Sequence, residues 1–172
     1  ATSIIKETID VCKNKITDCL NASILNGTFP SSMKHGDIIP IFKAKEKTFK
    51  ENYRPICLLS PFSKLYEKIL AKQIGSFMKD KLSDNLCGFR KGFSTQHTLL
   101  RLLENWRQHI DKKEIVGAVF CDLSKAFDSI PHNLLVAELE AYGFSYESLK
   151  LIFDYLNNRK QRCKVESVFS DW

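Results

Sequence analysis

The residue of this chain best placed to do chemistry is an aspartate at the end of an apolar run. Residues 117–131 read GAVFCDLSKAFDSIP, with Asp122 near the centre. Ahead of it, residues 115–121 are almost unbroken in their apolar character and rich in β-branched and aromatic types, which predicts a strand buried on both faces. A carboxylate where such a strand emerges must be paired, or bound to a cation, because an isolated buried charge is too costly. Spacing alone leaves two roles open: capping a turn or pairing with Lys125, and holding a metal ion. A second set of charged residues is basic. Lys43, Lys45, Lys47 and Lys50 crowd a stretch that leads into Tyr53, Arg54 and Pro55. Such donors at a mobile loop tip can neutralise a triphosphate, or Arg54 can simply fix the turn through a salt bridge. A third set is Arg90 and Lys91, flanked by Gly88 and Gly92, where bare backbone can approach an anion closely.

These residues need elements to hold them. Residues 3–26 carry an apolar stripe at Ile5, Ile9, Cys12, Ile16, Cys19 or Leu20, and Ile24, which predicts a helix ended by Asn26 and Gly27. Residues 38–42 and 56–59 read as two short strands joined by the lysine-rich loop, so Lys43 and Arg54 belong to a hairpin. Pro40 inside the first strand predicts an edge or a bend. Residues 61–82 form a long amphipathic segment with Leu65, Ile69, Phe77 and Met78 on one side, begun by Pro61 or Ser63. Ser94 or Thr95 suits the N-cap of a helix through Leu99, Leu103, Trp106 and Ile110. Pro131 is placed to open a helix to about Tyr142; after a break at Gly143 another runs from Ser145 to about Asn157, with Leu149, Ile152, Phe153 and Leu156 on one face. Residues 161–169 alternate as an exposed strand would, with Cys163, Val165 and Val168 inward.

Composition bounds the function. The 172 residues suffice for one core, and 44% hydrophobic with 27% charged residues is a globular balance without a disorder signature. No stretch is long and apolar enough for a bilayer, and the first residues lack the basic-then-apolar pattern of an export signal. The expected location is therefore intracellular, in the nucleus or cytoplasm, with no membrane partner. The six cysteines show no C-x-x-C pair and predict free thiols, with Cys57 and Cys121 as small buried hydrophobes; no histidine spacing suggests zinc. The net charge is +6, and residues 34–91 carry 13 basic against 6 acidic residues, a net of +7. The excess is thus local, and it predicts polyanion binding.

The longer strings sharpen this. FCDLSKAFDSIPHNLL resembles the first catalytic motif of the reverse transcriptases of non-LTR (LINE-like) retrotransposons. HGDIIPIFK at 35–43, NYRPICLLS at 52–60, KLYEKIL at 64–70 and GFRKGFSTQHTLL at 88–100 resemble the same family in the same order. The resemblance implies an α+β fold of the right-hand polymerase kind: fingers plus a partial palm, truncated before the second catalytic aspartate motif. It divides the chain into an N-terminal helical extension at 1–33, fingers at 34–112, a first palm segment at 113–144, and a helix and strand at 145–172. The implied activity is RNA-directed DNA synthesis on an RNA template with a DNA primer and dNTPs. Two Mg²⁺ ions about 4 Å apart would serve the attacking and leaving oxygens, with Asp122 catalytic and bridging both, and the Leu123 backbone carbonyl a further ligand. The resemblance also implies that Lys43 and Arg54 contact the incoming phosphates. Phe127 would lie under the sugar and exclude a 2′-hydroxyl, and Arg90 and Lys91 would contact template or nucleotide.

The departure from that family is as informative. The remaining metal ligands are expected in a later aromatic-x-Asp-Asp hairpin, and this sequence has no Asp-Asp pair and no Pro-Gln-Gly loop. One carboxylate cannot hold two metals, so the chain alone is expected to be inactive. The alternative function is a non-catalytic nucleic-acid-binding module derived from a retroelement. Oligomeric state is not encoded in any of these motifs.

Overall fold

The computed structural model describes residues 2–123 and 126–172, with side chains from Glu7 onward in the first helix. Ile5 of the expected stripe and the expected Lys125 partner of Asp122 lie outside those described side chains. In chain order the elements are α1 (Thr2–Asn26), β1 (His35–Phe42), β2 (Tyr53–Leu59), α2 (Pro61–Met78), α3 (Thr95–Asp111), α4 (His132–Ala141), α5 (Tyr146–Leu156), β3 (Lys160–Val165) and β4 (Val168–Phe169), with short 3-10 turns at Ser31–Met33 and Lys50–Asn52. They form two compact units, one of residues up to Ile74 with Pro131–Trp172, the other Gly75–Ile130.

The first unit is built on a mixed four-stranded sheet in the order β2-β1-β3-β4. β1 is antiparallel to β2 from Gly36↔Leu59 to Phe42↔Tyr53, and parallel to β3 from His35↔Lys160 to Ile38↔Cys163. The strand containing Pro40 lies between β2 and β3 in the order, but β3 pairs with it only as far as Ile38, so Pro40 itself has a neighbour on the β2 side alone. The alternation of the ladder explains how proline is accommodated. The Lys43 N–H donates to the Asn52 carbonyl at 2.8 Å, so every second residue back along β1 bonds to β2 and the ones between face away from it. Pro40 and Pro55 oppose each other at one of these non-bonded pairs, and neither missing N–H breaks the hairpin. Pro40's nitrogen is turned toward β3 instead, and the β3 pairing has stopped at Ile38.

The core of this unit joins Leu20, Phe29, Tyr66 and Leu151, with Ile16, Ile24, Met33, Ile69, Leu70 and Tyr155 packed around them. Phe29 stacks on Tyr66 at 5.0 Å between centroids and meets Tyr155 edge-on at 4.9 Å. The Tyr66 hydroxyl is satisfied by Ser23 Oγ at 2.7 Å, as a buried phenol must be. The apolar stripe of α1 thus docks through Ile16, Leu20 and Ile24. Of the stripe expected for α2, Met78 is buried and Ile69 packs against the core, whereas Leu65 and Phe77 are exposed and Ser63 and Tyr66 are fully buried instead. One residue is about 100° of helix rotation, so Tyr66, next to Leu65, turns to the core while Leu65 does not. In α5 likewise Leu151 is buried beside Leu149, whereas Phe153 is exposed.

Chain ends and turns follow local chemistry. Gly27 closes α1 at φ +60°, a conformation that glycine adopts without penalty. Lys150 donates to the Asn26 carbonyl at 3.0 Å, satisfying one of the helix's terminal acceptors. Buried Lys34 pairs with Asp154 at 2.8 Å, and the Phe29 N–H donates to the same carboxylate at 2.6 Å. Burial alone would raise the Asp154 pKa, but the Lys34 hydrogen bond, the Phe29 N–H and the charges of Lys34 and Lys150 outweigh it and hold the carboxyl below its ordinary value. Residues 161–169 are not one strand: Glu166 at φ +53° turns the chain, and β3 and β4 pair through Val165↔Val168. Cys163, Val165 and Val168 are exposed rather than inward.

The second unit holds α3 and the stretch leading to Asp122. α3 buries no residue, and Leu99, Leu103 and Ile110 of its stripe are exposed. The buried strand expected at 115–121 is absent: these residues form no strand, and Ile115, Val119 and Phe120 are exposed. A strand apolar on both faces needs sheet neighbours on both sides. No strand among the described residues pairs with it. Cys121 is exposed for the same reason, and Cys57 is exposed on β2; all six cysteines are free thiols.

Candidate functional site

The β1–β2 hairpin sets Lys43 and Arg54 side by side. Arg54 opposes Ile41 in the register, and the Lys43–Asn52 bond carries the ladder one step further. Side chains of alternate residues share a face, so Lys43 is the diagonal neighbour of Arg54, a Cβ separation of about 7–8 Å. Both are exposed. No hydrogen bond or ion pair to another described residue engages the Arg54 guanidinium, so a salt bridge does not fix this turn. The tip itself is held by other groups: Asn52 Nδ2 donates to the Glu46 carbonyl at 2.7 Å, the Tyr53 hydroxyl to the Lys47 carbonyl at 2.9 Å, and Phe42 meets Tyr53 edge-on at 5.5 Å. Two cations are thereby presented on a braced hairpin with their donors uncommitted to any described residue. That is what a phosphate group requires of a binding pair.

Arg90 is placed differently. Its guanidinium donates to the carbonyls of Ser83 at 2.8 Å and Leu86 at 3.2 Å, reaches that of Lys79 at 3.4 Å, and lies 4.4 Å over the Phe93 ring. It ties together the loop that follows α2. Lys91 beside it is exposed, and Gly92 carries φ +88°. Lys79, Asp80, Leu82, Ser83, Asp84 and Arg90 line a polar hollow in this loop. Ser94 occupies the N-cap of α3, but its hydroxyl engages His97 Nδ1 at 2.9 Å rather than a backbone N–H.

Asp122 and Leu123 lie in the exposed stretch of the second unit that has no regular secondary structure. Phe127 is 82% exposed, and its ring meets Phe89 edge-on at 6.0 Å. Asp122 supplies a hard oxygen ligand of the kind Mg²⁺ takes. Two ions need several such ligands, and among the described residues no three His, Cys, Asp or Glu side chains gather. The donor set present therefore does not fit a two-ion centre.

One feature escaped the motifs. Lys160, Arg162 and Lys164 alternate along β3 and so share one sheet face, with Arg162 held between the rings of Phe169 and Trp172. The alternation K-x-R-x-K was visible in the sequence, whereas the rings come to it only through the turn at Glu166.

Comparison with known proteins gives a consistent result. Residues 41–170 match the family described as reverse transcriptase (RNA-dependent DNA polymerase). The probable RNA-directed DNA polymerase from transposon BS of Drosophila melanogaster is 34% identical over 153 residues, which cover 87% of this chain and 17% of that protein. The probable RNA-directed DNA polymerase from transposon X-element of the same species is 35% identical over 158 residues, 90% of this chain and 17% of that protein. The RNA-directed DNA polymerase from mobile element jockey of Drosophila funebris is 28% identical over 145 residues, 81% and 16% respectively. The chain thus spans about a sixth of the length of the curated relatives it matches.

Proposed function

The chain belongs to the reverse transcriptase family of LINE-like, non-LTR retrotransposons, and from that premise we propose that it is the nucleotide-gripping front part of an RNA-directed DNA polymerase. In this reading residues 34–112 are the fingers, 113–144 the first palm segment, and 145–172 the lead into the rest of the palm. The observation that carries it is the exposed, uncommitted pair of Lys43 and Arg54 on a braced hairpin, which would hold the triphosphate of an incoming dNTP. Phe127 would lie under the sugar. Lys91 would contact template or nucleotide, with Arg90 shaping the loop that presents it. The partners are then an RNA template, a DNA primer and dNTPs.

Asp122 would be the catalytic aspartate and, with the Leu123 carbonyl, the first ligand of the divalent metal ions that the family uses. Further carboxylates are needed before phosphoryl transfer can run, so the chain by itself binds without catalysing. A primer-extension assay tests this: the purified chain with an RNA template, a DNA primer, dNTPs and Mg²⁺ is expected to add no nucleotide. Incorporation that disappears in Asp122→Asn would show that the chain is catalytically complete and overturn the reading.

A further inference from the structure

On the face of the sheet that carries Lys43 and Arg54, strand alternation also places Asp37, Ile39 and Ile41 of β1, Ile56 and Leu58 of β2, and Lys160, Arg162 and Lys164 of β3. Ile41, Ile56 and Leu58 are exposed there. At the β3 end the charged groups are interleaved with rings. Arg162 lies 4.1 Å from the Phe169 ring and 4.4 Å from that of Trp172, while its Nε holds Asp37 at 2.7 Å. Lys164 lies 5.3 Å over Phe169, and Trp172 packs against His35 at 4.9 Å. Phe169 and Trp172 nevertheless keep 42% and 55% of their surface exposed.

We infer that this cation-and-ring column is a binding platform for single-stranded polynucleotide, which stacks bases on Trp172 and Phe169 and sets its phosphates against Lys160 and Lys164. The charge of Asp37 is already taken by Arg162, so the face as a whole is cationic and complements a polyanion. Lysines alone would accept any acidic partner. Rings fixed by a paired arginine add a demand for flat unsaturated surfaces, which an unpaired strand offers and a duplex keeps inside its own stack. Two sheet spacings, about 10 Å, separate the β2 and β3 columns, so the strand lies on the same face as the triphosphate grip but at its other side. The platform deepens the polymerase reading and rests on it for the nature of the strand.

The chain has two tryptophans, so Trp106→Phe leaves Trp172 as the sole reporter. Titrating that variant with a ~12-nucleotide single-stranded oligoribonucleotide, within the site sizes that stacking platforms show, is expected to quench Trp172 saturably. Added Phe169→Ala should weaken binding about fivefold or more. Lys164→Ala should make the logarithmic salt slope shallower by about 0.7, the value for one phosphate contact on a single strand. Circular dichroism of both variants checks that the fold persists. Trp172 emission unmoved by the oligonucleotide, equal quenching by oligoglutamate, or unchanged affinity in folded Phe169→Ala would each overturn the platform. Arg54→Ala should weaken dNTP binding while the saturable quenching of Trp172 persists, so loss of the triphosphate grip alone is told apart from loss of the platform.

Discussion

Arg54 and Arg90 share a side chain and differ in what it holds. The Arg54 donors engage no described residue, whereas those of Arg90 are spent on the carbonyls of Lys79, Ser83 and Leu86. Hydrogen bonds from a charged group are worth about 1.5–3 kcal/mol each, less where solvent competes, so Arg90→Ala should loosen residues 79–93. Amide hydrogen exchange across that loop should quicken by tenfold or more, and Arg90→Lys should restore it poorly because an ammonium lacks the planar fork. Unchanged exchange would make the loop independent of Arg90. The sequence singled out both arginines as candidate contacts to phosphate or template. It could not divide their roles, because the acceptors of Arg90 are backbone atoms of a loop, invisible in residue types. Tyr66 was missed for a related reason: its buried hydroxyl depends on Ser23, 43 residues away.

At the scale of elements, the first unit is organised by Tyr66 on α2 and by the Lys34–Asp154 pair that binds the chain before β1 to α5. Tyr66→Ala should destabilise the unit by about 3–5 kcal/mol, the usual cost of emptying a large aromatic site, and Tyr66→Phe by about 1 kcal/mol, both read from urea midpoints. The pair adds a pH dependence whose sign is fixed. The Asp154 pKa is lower in the folded chain than its ordinary value near 4, so its contribution is present above that value and is lost as pH falls through the folded pKa. Urea midpoints should therefore drop below about pH 4, and Asp154→Asn should flatten that drop while lowering stability at neutral pH. Helix positions, the hairpin and the cap at Gly27 were legible from periodicity and glycine placement. Strand order was not, because an edge-like proline on β1 does not disclose that β3 pairs with that strand only from His35 to Ile38.

The whole molecule is uneven in its packing. One unit has an aromatic core, and the other exposes Leu99, Leu103, Ile110, Ile115, Val119 and Phe120. Backbone in 114–123 lacks ladder partners, so limited proteolysis should cut there first and leave the first unit's core elements protected. Initial cleavage within α1 or α5 would contradict this. The apolar string ahead of Asp122 predicted a buried strand that does not form, because a sequence does not disclose whether the neighbouring strands are at hand. Five motifs in order carried the family.

The central claim is that Lys43 and Arg54 grip a triphosphate, and equilibrium binding of a fluorescent dNTP to the purified chain tests it most directly. The account predicts saturable binding that weakens about tenfold or more in Arg54→Ala, as loss of a charged donor to phosphate should, with the fold unchanged because the side chain is exposed and pairs with no described residue. Equal affinity in the parent and in Arg54→Ala, or no binding by the folded parent, would contradict it.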